Sequence, residues 1–353
     1  MKILHTADWH LDAPFVGASE QQREFLRREL RKIPGKIVEI ARNEGCDLIL
    51  IAGDIFDGNH SAESLQALRH AFAGCEVPVF ISPGNHDFCA PGSPWLDQVW
   101  PENVHIFTGA LESVSLSELS CRIYGAGYQS MDCPGLLEGF SAEGEEKYQI
   151  GVLHGDPGAA SSPYCPITTA QVRASGLDYL ALGHIHKAGQ FTAGDTLCAW
   201  PGCPMGRGFD ETGEKGVYIV QLDETATLQF LPLDTPRFFD LEVYTSDTAL
   251  AALETVLPSV ATSDVYRLTL TGSSGESLRE LYDAYPHIPN LLLLDSREVP
   301  VDIWASAGED TLEGVYFTML RELTESEDPE LRQSALLAAE ISRKLLDGKE
   351  VKL

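Results

Sequence analysis

Five short segments hold the residues of this chain best suited to chemistry: Asp8-Trp9-His10, Gly53-Asp54-Ile55-Phe56-Asp57, Gly84-Asn85-His86-Asp87, His154-Gly155 and Gly183-His184-Ile185-His186. Each ends, or closely follows, an apolar run of the kind that forms a β-strand. Together they supply two Asp, one Asn and four His suited to holding metal ions, with a further His-Asp pair beside them. Oxygen and imidazole donors without thiolate point to Mn²⁺, Fe²⁺, Zn²⁺ or Mg²⁺ rather than to a structural zinc. Such a set fits a two-metal phosphoesterase site, where cations roughly 3.5–4 Å apart clamp the attacking and leaving oxygens of an in-line displacement.

Within the set, Asp8 and His10 stand at i and i+2 of a strand end, which predicts that both point to one side. Asp54 has two carboxylate oxygens and can bridge two ions. Asn85 offers an amide oxygen; His154, His184 and His186 offer imidazole nitrogen. Gly53, Gly84 and Gly183 are expected to permit sharp turns that project the following side chain into a cleft. His86, next to Asn85, is read as the catalytic histidine that protonates the leaving oxygen. It needs an orienting carboxylate; Asp57 is preferred for this, with Asp87 as the alternative. Trp9 and Phe56 read as packing residues, and His5 as a strand residue. Asp12 is either a turn residue or a support for the site. Arg207, in the loop PGCPMGRGF, either meets a phosphate or faces solvent.

The elements that must position these residues alternate along 1–235. A strand at Lys2–Thr6 precedes a charged amphipathic helical stretch at 20–44, expected to break at Pro34-Gly35. DLILIA at 47–52 is a continuous apolar strand of the kind buried on both faces. A helix at 61–73 and a strand at 77–82 follow. Strand candidates then accumulate at 103–107, 121–124, 148–153, 178–182, 189–192, 196–200, 216–222 and 226–232. The pattern predicts two packed sheets flanked by helices, with loops at strand ends building the site. After Pro232 and Pro236 the order becomes strand, helix, strand, helix, strand over 237–300, a small α/β module. Two amphipathic helices follow at 307–347, with Leu312, Val315, Met319 and Leu320 at helical spacing. That spacing favours packing on the chain's own core over a docking arm for a partner helix.

Of the 353 residues, 44% are hydrophobic and 22% charged, ordinary for a globular protein with one large and one or two smaller domains. No segment approaches a membrane-spanning apolar run. MKILHTADWH leads directly into the first motif, leaving no room for a cleavable leader, so the cytoplasm is the expected location. The eight cysteines form no C-x-x-C pair and read as small buried hydrophobes. The net charge of −28, from 53 acidic and 25 basic residues, sits awkwardly with unaided binding to nucleic acid. It implies a small substrate, a partner that supplies the affinity, or a merely solubilising surface.

The five segments resemble the calcineurin-like metallophosphoesterases, whose pattern is D-x-H, G-D-x-x-D, G-N-H-[DE], H and G-H-x-H. Within that superfamily the chain is most similar to the SbcD/Mre11 group of DNA repair exonucleases, especially its YhaO-like branch. HTADWHLDAPF at 5–15, IAGDIFD at 51–57, SPGNHD at 82–87, LHGD at 153–156, LGHIHK at 182–187 and PGCPMGRGFDETGEKGVYIV at 201–220 carry this resemblance. It implies a four-layer α/β/β/α sandwich over 1–235, a small α/β capping domain at 237–300 and a C-terminal helical segment at 301–353. It implies one metal held by Asp8, His10, Asp54 and His186 and a second held by Asp54, Asn85, His154 and His184, with Mn²⁺ preferred. It implies hydrolysis of DNA by an exonuclease, with endonuclease activity as an addition. It also implies C-terminal helices docking on the coiled coil of an SMC/Rad50-like ATPase, and homodimers. Archaeal and eukaryotic members carry His where this chain has Asp57, so the wider phosphoesterase pattern is the one retained here. A nucleotide or small-molecule phosphodiesterase or phosphatase, and a regulatory subunit without activity, are the competing readings.

Overall fold

The computed structural model describes residues 1–158, 161–298 and 302–346; the join at 299–301 and the end of the C-terminal segment, 347–353, lie outside these. Two six-stranded sheets dominate. The first runs, in spatial order, Ala226–Pro232, Gly216–Leu222, Lys2–Thr6, Leu48–Ile51, Val79–Ile81 and Val104–Ile106. The second runs Lys187–Ala193, Thr196–Gly202, Tyr179–Gly183, Tyr148–His154, Cys121–Gly125 and Glu112–Leu116.

The layering follows from side-chain alternation along strands buried on both faces. In Leu48–Ile51 all four residues are buried. Leu48 and Leu50 join Ile3, Phe80, Ile150, Val152 and Ala181 in the core between the sheets. Ile49 and Ile51 face the opposite way, onto Leu30, Ile37, Leu68 and Phe72 of the flanking helices. Leu180 and Leu182 pack outward with Leu153 and with Val172 of the helix Thr169–Ala174. Three cores therefore separate helices, sheet, sheet and helix, an α/β/β/α sandwich.

The strands that carry the site are parallel neighbours. Lys2–Thr6 pairs with Leu48–Ile51, and Leu48–Ile51 with Val79–Ile81. In the other sheet Gly183 stands directly beside His154. The carboxyl ends of these strands thus open at one edge, where open α/β sheets gather their ligands.

Two expectations change. The helical stretch breaks before Pro34, not at it: Glu20–Leu30 ends at Arg31, and Ile33–Glu44 takes Pro34 into its first turn, where a missing N–H costs no helical bond. In the C-terminal helices Leu312–Leu323 and Pro329–Leu346, the residues that bury are Gly314, Phe317, Ala335 and Ala339. Arg343 lies 4.6 Å from the Phe317 ring centroid and pairs with Glu313 at 2.6 Å. Leu312, Val315 and Met319 are exposed rather than packed on the chain's core. Val315 and Phe317 are two residues apart, about 200° round the helix, so burying Phe317 turns the Leu312–Met319 stripe outward.

The chain forms two compact units: Met1–Leu241 with Val260–Leu268 and Pro286–Leu292, and Glu242–Ser259 with Thr269–Tyr285 and Leu293–Leu353. The strands Phe238–Thr245, Val265–Gly272 and Leu291–Asp295 form a three-stranded sheet in chain order. No helix among the described residues is long and apolar enough to cross a membrane.

Candidate metal centre

Asp8 and His10 do converge, but not by strand alternation. Both lie beyond Lys2–Thr6 in left-handed backbone, with φ of 55° and 47°, and Asp54 has φ 52°. Such conformations cost a non-glycine residue free energy and concentrate at functional sites. The chain is held in them by backbone bonds from Asp8 N to the Gly53 carbonyl and from His10 N to the Asp54 carbonyl, 3.0 and 2.9 Å.

The glycines act in two ways. Gly53 does supply a turn with φ 87°. Gly84 and Gly183 are needed for close approach instead. A Cβ on Gly84 would lie 2.3 Å from Asp54 Oδ1, and one on Gly183 only 1.9 Å from the Ala52 carbonyl oxygen.

Three histidines present the same nitrogen to the centre because the other is tied down. His10 Nδ1 lies 3.0 Å from Asp57 Oδ1, His186 Nδ1 2.6 Å from Glu211 Oε1, and His154 Nδ1 2.8 Å from the Ala52 carbonyl. For His10 and His154 the Nδ1 proton thus has a fixed acceptor, which leaves Nε2 as the lone-pair donor a metal-ligating histidine needs. His186 Nδ1 sits between Glu211 Oε1 and Arg207 Nη2, the latter 2.8 Å away and able only to donate. The freed nitrogens meet: His10 Nε2 is 3.2 Å from His186 Nε2. Asp54 Oδ2 is 3.7 Å from His10 Nε2 and 3.4 Å from His154 Nε2. His154 Nε2 is also 2.9 Å from Asn85 Oδ1. Donors bound to one cation at about 2.0–2.2 Å stand roughly 3–3.6 Å from each other. The donor spacing from Asp54 is of that size toward His154 and just above it toward His10, so these residues fit divalent ions held on Asp54.

Carboxylate and imidazole atoms fall into three close trios: Asp8, His10 and His186; His10, Asp54 and His86; Asp8, Asp54 and His154. His184 joins none of them among the described residues. Its ring stands 5.3 Å from that of His154 and 4.9 Å from that of Tyr164, and its backbone N–H donates to Asp8 Oδ1 at 2.9 Å.

Burial pushes His10 down, against the pull of Asp57, and lowers His184, helped there by His154. Both rings are thus favoured in the neutral form that binds metal. His154 goes up: burial opposes its charge, but the Asp54 carboxylate outweighs burial. A cation held on Asp54 would reverse that pull.

His86 is half-exposed and its Nδ1 lies 3.1 Å from Asp57 Oδ1. The bond to Asp57 raises its pKa above the usual histidine range. Asp57 therefore touches two histidines, His10 and His86, where the sequence suggested one. Its carboxyl is held low: burial opposes ionisation, but hydrogen bonds from both rings prevail. Asp87 does not orient His86. It is buried under the loop and accepts from the backbone N–H groups of Ile55 and Gly84, both at 2.8 Å. It builds the turn that carries Asn85 and His86.

Arg207 is partly buried and tied to the centre by carboxylates. Its side chain is 21% exposed, pairs with Glu211 Oε1 at 2.9 Å and reaches Asp57 Oδ1 at 3.6 Å. Glu211 was not legible as a site residue. It holds His186, Arg207 and the Arg207 backbone N–H at once. The only signal was an acidic residue four positions after Arg207. Asp12 is a support: at φ 69° it accepts from Ser61 N, Ser61 Oγ, Ser64 Oγ and Arg31, fixing the loop after Lys2–Thr6 to the helix Ala62–Ala73. Trp9 and Phe56 are fully buried packing residues.

The model of the calcineurin-like phosphoesterases matches residues 1–188. The uncharacterized metallophosphoesterase YhaO of Bacillus subtilis is 36% identical over 239 residues, 63% of this chain and 57% of that protein. The SbcD subunit of nuclease SbcCD from Staphylococcus epidermidis is 24% identical over 328 residues, 82% of this chain and 84% of that protein. Among solved structures, a dimetal phosphatase from Danio rerio aligns at 15% identity with a TM-score of 0.42, over 65% of this chain and 95% of that one.

Proposed function

The chain belongs to the calcineurin-like phosphoesterase family, and from that premise we propose that it is a two-metal phosphodiester hydrolase that degrades DNA from its ends. The observation that carries this reading is the unbroken run of close donors through the centre: His186 Nε2 beside His10 Nε2, Asp54 Oδ2 within 3.7 Å of His10 Nε2 and 3.4 Å of His154 Nε2, and Asn85 Oδ1 beside His154 Nε2, with His86 on Asp57. Similarity to a nuclease subunit over 82% of the chain supports DNA as the substrate.

Asp8, His10, Asp54 and His186 would hold one ion, and Asp54, Asn85, His154 and His184 the other, with Mn²⁺ the preferred metal. When bound, the ions supply Lewis-acid stabilisation of the phosphoryl oxygens and a nucleophilic water. The chain does the rest. Asp57 holds His86 through Nδ1, leaving Nε2 to deliver a proton to the departing oxygen, and the Asp57 carboxylate favours the protonated ring. Glu211 and Asp57 fix the ligand rings so that no reorganisation is needed as the phosphate binds.

In this reading residues 237–300 cap the site, and the C-terminal helices at 301–353 dock an SMC-like ATPase. The exposed Leu312, Val315 and Met319 stripe supports the second assignment. A partner of that kind would also account for a nuclease of net charge −28, which has little basic surface of its own. That same charge is the observation favouring the second reading, a phosphodiesterase of nucleotides or small molecules.

Digestion of an end-labelled duplex by the purified protein with Mn²⁺ tests the proposal. Cleavage is expected, and His86→Ala should lower turnover roughly 10²–10⁴-fold. Brisk hydrolysis of mononucleotide or cyclic nucleotide esters with intact DNA would move the assignment to the second reading.

A further inference from the structure

A groove of about 880 Å³ runs away from the metal centre within the first unit, and Asp57, His86 and Arg207 line one end of it. Away from the centre its charged lining reduces to Asp210 and Arg267, among the described residues. The rest of that lining is uncharged: Gln22 and Asn290 are polar, and Phe15, Val16, Phe209 and Leu292 are among the apolar residues. Val16 is 91% exposed and Leu292 42%, so their side chains are open to whatever enters.

Arg267 is not placed to neutralise a phosphate. Its guanidinium is gripped by Asp240 through two bonds of 2.9 and 2.6 Å and lies 4.2 Å from the centroid of the Phe209 ring. Phe209 is in turn braced edge-on by Phe238. The charge is spent on Asp240, and the guanidinium becomes a flat, fixed shelf with a third of its side chain exposed. A groove of this volume lies in the range of small-ligand sites. It lacks the uncompensated cations that a polyanionic backbone requires. What suits it is a flat, uncharged, partly apolar body that stacks on a guanidinium and touches aliphatic walls.

We propose that this groove receives the unpaired nucleobase on the leaving side of the scissile phosphodiester. The inference rests on the reading of the chain as a nuclease and names the part of the substrate it grips. His86 fixes the side. A bond forms between the water oxygen and phosphorus, the phosphorus–oxygen bond to the departing nucleoside breaks, and the His86 proton goes to that oxygen. The departing nucleoside must then lie where His86 faces, at the mouth of the groove. Stacking on Arg267 is tolerant of sequence, because every base has a π-face.

The test compares a single-stranded oligonucleotide with the same strand lacking the bases that flank the cleaved phosphodiester, both with Mn²⁺. The wild-type protein should show a KM roughly tenfold higher for the abasic strand, with kcat nearly unchanged. Val16→Ser combined with Leu292→Ser should raise KM for the intact strand to the abasic level and abolish the preference. Arg267→Lys, which keeps the charge and removes the plane, should do so without touching the aliphatic walls. Equal KM values for the two strands in the wild type, or a preference that survives in both variants, would overturn the assignment of the groove alone. Hydrolysis of bis(p-nitrophenyl) phosphate with neither strand attacked would overturn the nuclease reading and this inference with it.

Discussion

Asp57 Oδ1 lies 3.0 Å from His10 Nδ1 and 3.1 Å from His86 Nδ1, so one oxygen serves both the proposed metal ligand and the proposed acid. That makes the two roles separable by substitution. His86→Ala should keep its full metal content while losing turnover. Asp57→Asn should lose both, because a carboxamide can present its NH₂ to His10 and favour the wrong tautomer. Its metal affinity should drop about 10–100-fold, as expected when the partner of a ligating histidine is removed. Metal content after dialysis separates the two variants, and equal content in both would show that Asp57 does not fix His10. Glu211 makes the parallel case on the other side of the centre. Glu211→Gln should weaken metal binding by a similar factor through His186, its 2.6 Å partner. It should also loosen Arg207, whose link to Asp57 is then no longer braced. Titration with Mn²⁺ followed by calorimetry reads that change without any need for turnover.

The strands and loops explain which parts of this were readable in advance. Leu48–Ile51 and Tyr148–His154 were legible because they are buried on both faces and so carry unbroken apolar runs. Glu112–Leu116 was not, since an edge strand that is mostly exposed carries a polar sequence. The five motifs marked where the metal donors would lie, but the means by which they converge lay elsewhere. Asp8 and His10 reach the centre through left-handed backbone, which no spacing rule reports. Glu211 contributes through a long-range contact with His186, and one acidic residue in a loop carries no pattern of its own. Gly183 shows the same limit: it looked like a turn residue, yet its role is to let Tyr179–Gly183 come against the Ala52 carbonyl of the other sheet. A Cβ there would stand 1.9 Å from that oxygen, a distance no side chain tolerates. Gly183→Ala should therefore force the two sheet ends apart. The expected cost is about 1–3 kcal/mol, the scale of overpacking a buried site. Thermal unfolding should show it, accompanied by weaker metal binding because His154 and His184 sit on the displaced segments. An unchanged midpoint would mean that the sheets close with slack at this edge.

Across the whole sandwich, the sheets are joined by a buried polar link as well as by apolar contact, and that link sets a dependence on pH. His5, on the central strand of one sheet, is fully buried and bonds twice to the strand Tyr179–Gly183 of the other. The Leu182 carbonyl can only accept, so Nε2 carries the proton at 3.1 Å, and Nδ1 accepts the Tyr179 hydroxyl at 2.7 Å. Protonating Nδ1 would end the donation from that hydroxyl and place a charge in a fully buried position. Burial accordingly pushes the His5 pKa down to about 3, although the Leu182 carbonyl pulls the other way. In the unfolded chain the same group titrates near about 6.5. Between these values the unfolded state binds more protons than the folded one, so stability rises with pH across the window. The contribution is complete above the unfolded pKa and falls away as the medium is acidified toward 3. From pH 7 to pH 5 this one residue should remove about 2 kcal/mol. His5→Gln, which cannot titrate, should be less stable than the wild type at pH 7 and should lose about 2 kcal/mol less on going to pH 5. Urea unfolding at both values, with chelator present so that metal release does not contribute, gives the comparison directly. Parallel losses in the two proteins would place the acid sensitivity elsewhere, among the carboxylates and histidines of the metal centre.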